Sequence, residues 1–114
     1  LPFNVNSLSQ AIAKEALRDR RGLNASIKMI VSERERLSTE MTQTKGVAPF
    51  PSEANFILFR VKEPDHVYSA LLKRGVLVRN LDSGIRGCLR VTIGAPKENT
   101  IFLKALKEVM NEKG

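Results

Sequence analysis

The sequence predicts an α/β protein of the α+β kind, in which two N-terminal helices precede a βαββα unit. The unit's small antiparallel or mixed three-stranded sheet carries its helices packed on one face. Three observations predict this. Apolar residues recur at helical spacing through the first 45 positions. The periodicity changes beyond a stretch with two prolines, Gly46 to Ser52. Residues 76–94, VLVRNLDSGIRGCLRVTIG, then read as two β-rich arms around a polar loop.

Taken in order, Leu1 to Asn6 is extended and turn-like, because the residue before a proline is pushed out of helical space. Ser7-x-x-Gln10 is a capping-box pattern, and Leu8, Ala11, Ile12 and Ala16 follow on one face. The first helix is expected over Ser7–Arg20, with Gly22 as its stop. The second helix carries Ile27, Ile30, Val31, Leu37 and Met41 on one face. Its other face holds Glu33, Arg34, Glu35, Arg36 and Glu40, alternating charge that reads as solvated. Gly46 to Ser52 reads as a connector.

Asn55–Val61, apolar on both faces until Arg60, is a well-buried strand. Glu63-Pro64-Asp65 opens a helix with proline in its first turn and an acid at its positive end; Val67, Leu71 and Leu72 form its stripe, and Gly75 ends it. A last helix over Lys97–Glu112 buries Phe102, Leu103, Leu106, Val109 and Met110.

Strand alternation fixes the faces of the hairpin arms. Val76 and Val78 share one side, Leu77 and Arg79 the other. In the second arm Leu89, Val91 and Ile93 oppose Cys88, Arg90 and Thr92. Antiparallel pairing about Gly84-Ile85 sets Val76 opposite Ile93, Val78 opposite Val91, and Arg79 opposite Arg90; a one-residue slip would break the agreement of apolar faces. Two guanidinium groups then start from Cβ atoms about 5 Å apart, a destabilising pair unless an anion sits between them. Arginine suits phosphate and carboxylate because its planar fork makes two parallel hydrogen bonds to either. The structural alternative leaves both arginines reaching solvent or pairing with Glu53, Asp65 or Asp82.

Composition narrows the classes. With 42% hydrophobic and 27% charged residues the chain is an ordinary globular domain, and its single cysteine, Cys88, excludes an internal disulfide and fits a reducing cytoplasm. No apolar run approaches the roughly 20 residues of a membrane span, and no secretory signal opens the chain. Of the net +7, +5 lies in residues 54–114, where 11 basic groups face 6 acidic ones. That charge is either a solvated surface or the mark of an anionic partner. One histidine (His66) and one cysteine cannot make a zinc site, Ser7 and Ser9 serve as helix-start residues, and no Gly-rich phosphate loop occurs. Five Phe, one Tyr and no Trp, none interleaved with the basic residues, argue against a nucleic-acid platform.

The segments PFNVNSLSQAIAKEAL (2–17), EANFILFRV (53–61), GVLVRN (75–80) and GCLRVTIGAPKENTIFLKAL (87–106) resemble the C-terminal part of the histidinol-phosphate aminotransferase family, fold-type I enzymes dependent on pyridoxal phosphate. The similarity runs through essentially the whole chain. It implies an end-of-large-domain segment with long connecting helices over 1–45 and the small C-terminal domain over 46–114. It implies that Arg79 helps bind the phosphate of histidinol phosphate. Arg90 would bind that phosphate and, in the other half-reaction, the carboxylate of glutamate or 2-oxoglutarate. The residues that hold pyridoxal 5'-phosphate, its lysine above all, belong to the family's large domain. The chain alone is therefore expected to carry no catalytic, cofactor-binding or metal-binding residue and to be inactive. Ala95 stands where relatives often have Ser or Thr, so the last helix is expected to lack a side-chain N-cap. With the large domain absent, Phe3, Val5, Leu8, Ile12 and Leu17 would be uncovered, so a homodimer is expected, with no nucleic-acid or membrane partner. The equivalent region of another fold-type I aminotransferase or of a threonine-phosphate decarboxylase, and a free-standing basic binding module, are the alternatives.

Overall fold

The computed structural model describes residues 20–113, so the first helix expected over Ser7–Arg20 lies almost wholly outside the described residues. Seven elements follow in order: α1 (Arg20–Thr42), β1 (Ala48–Pro49), β2 (Phe56–Arg60), α2 (Pro64–Lys73), β3 (Arg79–Asn80), β4 (Cys88–Thr92) and α3 (Pro96–Lys113). Gly22 does not stop a helix, because α1 runs straight through it. Glycine inside a helix costs about 0.5–1 kcal/mol relative to alanine but adopts helical angles freely, so it ends a helix only where the chain turns left-handed.

Among the described residues the sheet has four strands, not three, in the order β1-β2-β4-β3, and every pairing is antiparallel. The connector at 46–52 supplies the additional strand, with Ala48 opposite Arg60 and Pro49 opposite Phe59. Proline is tolerated there because β1 is an edge, where a missing N–H breaks no ladder bond. Strand β4 returns between β2 and β3 and lies beside both.

Parity sorts the two faces. Ile57 and Phe59 of β2 stand beside Val91 and Leu89 of β4, and with Val76, Val78 and Ile93 they form the buried side. Helix α1 adds Leu37 and Met41, α2 adds Val67 and Leu71, and α3 adds Phe102, Leu103, Leu106 and Val109. Phe59 meets Phe102 edge to face at 6.0 Å between ring centroids. Each such side chain contributes about 1.5–3 kcal/mol on burial, so this one cluster holds the three helices to the sheet. The apolar stripe of α1 divides: Leu37 and Met41 are fully buried, whereas Ile27 and Val31 are 44% and 36% exposed and miss the core. Leu72, expected in the stripe of α2, is also exposed.

The helix ends follow from local chemistry. Pro64 occupies the first turn of α2 and Asp65 its positive end. At its C-terminus Gly75 takes φ +78°; its N–H donates to Leu72 C=O, and the Val76 N–H donates to Leu71 C=O. This left-handed closure aims the chain at β3. At α3, Glu98 takes the place of the missing side-chain cap, its Oε1 accepting the Ala95 N–H at 2.9 Å. That is half of a capping box.

Glu33 contradicts the expectation of a solvated charged face, being only 8% exposed. Its Oε1 accepts from Arg36 Nη2 at 2.6 Å and from Asn99 Nδ2 at 3.0 Å. Asn99 also clamps Gly94, donating from Nδ2 to its C=O and accepting its N–H on Oδ1. Arg36 reaches on to the Pro96 C=O, and Lys107 pairs with Glu40, so with the Asn99–Glu33 bond three side-chain links tie α1 to α3. Among the described residues no helix is long and apolar enough to cross a membrane.

Candidate functional site

The register sets Arg79 of β3 directly opposite Arg90 of β4, as the parity of the two arms requires. The ladder is shorter than the sequence suggests, with only Arg79 and Asn80 of the first arm paired and Val76–Val78 running in as unpaired chain. Its loop closes with the Leu81 N–H donating to Cys88 C=O and the Cys88 N–H to Ile85 C=O. Within it Asp82 Oδ1 accepts the Gly87 N–H at 2.6 Å, and Gly87 sits at φ +79°. A Cβ at Gly87 would lie 3.1 Å from Val61 O, so only glycine lets the loop lie this close to β2.

Both arginines project from the sheet face opposite the helices. Arg90 is only 5% exposed, while Arg79 is half-buried. The Arg90 guanidinium carbon stands 5.0 Å from the centroid of the half-buried Phe56 ring. Burial, and then the Arg79 charge beside it, pull the Arg90 pKa below the ordinary arginine value. Two of the acids that could neutralise the pair have other partners: Asp65 Oδ1 accepts from Asn80 Nδ2 at 2.8 Å, and Asp82 holds the loop. A recess of about 370 Å³ lined by Tyr68, Leu77, Val78, Arg79, Asn80 and Thr92 lies on the Arg79 side. Two arginines paired in register on one face are a setting in which phosphate or carboxylate can be captured bidentately.

Cys88 is fully buried and His66 exposed, which leaves neither placed for chemistry at this pair. Sequence reasoning missed Phe56, whose contact depends on β4 lying beside β2. The usable signal was the parity of Phe56, Leu58 and Arg60, which share one face of β2.

The sequence profile of the aminotransferase class I and II family matches residues 1–106. The chain is 52% identical over 112 residues to the histidinol-phosphate aminotransferase of Aquifex aeolicus, covering 95% of this chain and 32% of that protein. It is 41% identical over 111 residues to the enzyme of the same name from Thermoanaerobacter pseudethanolicus, covering 96% of this chain and 31% of that one. Among solved structures, the histidinol-phosphate aminotransferase from Clostridium acetobutylicum superposes with a TM-score of 0.77 at 31% identity, over 84% of this chain and 30% of that one. The chain thus spans about a third of the length of the curated relatives it matches. With a matching profile over nearly all its residues and the same α+β fold, the chain belongs to the aminotransferase class I and II family.

Proposed function

We propose that this chain is the substrate-gripping C-terminal portion of a histidinol-phosphate aminotransferase, which exchanges the amino group of histidinol phosphate with 2-oxoglutarate to give imidazole acetol phosphate and glutamate. The observation that carries the proposal is the in-register pair Arg79–Arg90, which by strand parity lies on the sheet face opposite Val78, Leu89 and Val91 of the core. Two anions must be held in turn, a phosphate and a carboxylate, and one preorganised arginine pair suits both. Residues 1–45 act as the connection to the large domain and 46–114 as the small domain.

When bound, pyridoxal 5'-phosphate supplies the electron sink for amino-group transfer. The described residues do not fit as its holders. Every lysine from 28 to 107 is exposed, whereas the lysine that binds this cofactor needs an enclosed pocket to lower its pKa. This favours the reading in which the family's large domain holds the cofactor. The chain's own contribution is to bind and orient the phosphate or carboxylate of each substrate, in a cytoplasmic homodimer.

Assaying the enzyme that carries this segment against histidinol phosphate, an aromatic amino acid and phosphothreonine tests the proposal. Transamination of histidinol phosphate with the highest kcat/KM of the three is the expected outcome. Preferred decarboxylation of phosphothreonine, or preferred transamination of the aromatic amino acid, would replace it.

A further inference from the structure

We propose that Asn80 is a positioning residue for Arg79: its side-chain amide ties the edge strand β3 to the start of α2 and to the β3–β4 loop, holding Arg79 in register with Arg90 before any anion binds. The inference rests on the anion-site reading of Arg79 and Arg90 given above. Strand alternation turns Asn80 to the same side of the sheet as Val78 of the core, away from the side that Arg79 takes. There its Nδ2 donates to Asp65 Oδ1 at 2.8 Å, and its Oδ1 accepts the Asp82 N–H at 2.9 Å.

An anchor is needed because the backbone alone holds β3 poorly. The strand is an edge of the sheet, and only Arg79 and Asn80 pair with β4. The first of those pairs sets two cations opposite one another, and the Arg79 charge acts unfavourably on Arg90. Arginine cannot shed its proton to relieve the repulsion, so the pair pushes the edge strand outward. A strand that frayed in response would have to be ordered again by each substrate, at a cost in affinity.

Asn80 counters that push from two directions. Asp65 lies in the first turn of α2, which Val67 and Leu71 fix to the core, so the strand is tied to a settled point. The bond is charge-assisted, hence stronger than one between neutral groups. On the other side Asp82 accepts the Gly87 N–H on Oδ1 at 2.6 Å, one residue before β4 begins. Asp65, Asn80, Asp82 and Gly87 thus form one relay from α2 to the strand that carries Arg90. A carboxamide suits the middle of it, because one end donates and the other accepts; a carboxylate there could not donate to Asp65.

Steady-state kinetics of the enzyme carrying this segment, with histidinol phosphate and with glutamate, test this beside Arg79→Ala. Asn80→Ala should copy the selectivity of Arg79→Ala at lower amplitude, with kcat/KM falling about three- to tenfold for histidinol phosphate and less than about twofold for glutamate. Asn80→Asp sets two carboxylates together and should lose as much. Combined with Asp65→Asn it exchanges donor and acceptor, and should recover to within about twofold of the parent. Deuterium exchange of the peptide holding Arg79, followed by mass spectrometry, should quicken in Asn80→Ala and slow again in the exchanged pair. A side chain that merely stabilises the fold would lower both substrates alike along with the melting temperature, and that result overturns the positioning role. If Arg79→Ala is selective and Asn80→Ala is not, the positioning role is overturned and the anion site stands. If Arg79→Ala leaves histidinol phosphate unharmed, both are overturned. Should Asn80→Ala fail to fold, Asp65→Ala, which removes one bond of the relay, must show the same selective loss, and its absence overturns the proposal.

Discussion

Glu33 and Asn99, 66 residues apart in sequence, meet at 3.0 Å in the interior, where the Asn99 amide donates to the Glu33 carboxylate. The same asparagine holds both polar backbone groups of Gly94, four positions beyond Arg90. Helix α1 is thereby anchored at the exit of the strand that carries the buried arginine.

This contact sets a pH dependence. Hydrogen bonds from Arg36 and then Asn99 hold the Glu33 carboxyl below its ordinary pKa, against the opposing pull of burial. A carboxyl depressed in the folded state contributes stability above its unfolded pKa and loses it as pH falls through the folded value. Urea unfolding of the chain should therefore show stability falling as pH drops below the ordinary carboxylate range. Glu33→Gln should cost about 1–3 kcal/mol at neutral pH, and its difference from the parent should shrink in acid.

Gly75→Ala should destabilise the chain by about 1–2 kcal/mol, because an L side chain at a left-handed position crowds the following carbonyl. The residue at φ +78° closes α2 and launches the segment leading to Arg79. Circular dichroism melts of the two forms check this. No neighbour lies within 4 Å of the added Cβ, so a melt unchanged by the substitution would contradict the strain argument.

Arg79→Gln should raise stability by about 0.2–1 kcal/mol at low salt, since it removes a like charge directly opposite Arg90. The gain should shrink as salt screens the pair. Phosphate binding should weaken in the same variant, so stability and anion capture move in opposite directions. Urea midpoints at low and high salt, with phosphate titrations alongside, provide the check.

Ile27 and Val31 leave an exposed apolar stripe on α1, with Met29 also 40% exposed nearby on the helix. Such a stripe favours association, and sedimentation of the chain at rising concentration should show a dimer. Ile27→Glu with Val31→Lys should shift the population toward monomer and abolish the rise of melting temperature with protein concentration, while leaving the stability of the monomer itself unchanged because neither side chain reaches the core.

Much of this was legible in the sequence, for reasons specific to each element. The opposition of Arg79 and Arg90 followed from the parity of two arms whose apolar faces admit one register. The start and stop of α2 followed from Pro64 and Gly75. Strand β1 was not legible, because two residues ending in proline have no alternation to read. Glu33 sits among charges at helical spacing that suit a solvated face equally well, and its partner lies on another helix. Phe56 under Arg90 required knowing that β4 inserts beside β2, which chain order alone does not specify. The division of the α1 stripe was hidden too, since Ile27 and Leu37 look alike until the length of the sheet beneath them is known.

If Arg79 and Arg90 act as one anion site serving two substrates, kcat/KM for histidinol phosphate and for glutamate in single variants of the enzyme carrying this segment must respond to both positions. Each charge-assisted contact should be worth roughly 1.5–3 kcal/mol, about ten- to a hundredfold. Arg90→Ala should lower kcat/KM for both substrates, Arg79→Ala should harm histidinol phosphate more than glutamate, and lysine at either position should rescue only partly. Values for Arg90→Ala close to those of the parent, with either substrate, would rule out a shared anion site and leave the pair a structural feature of the sheet.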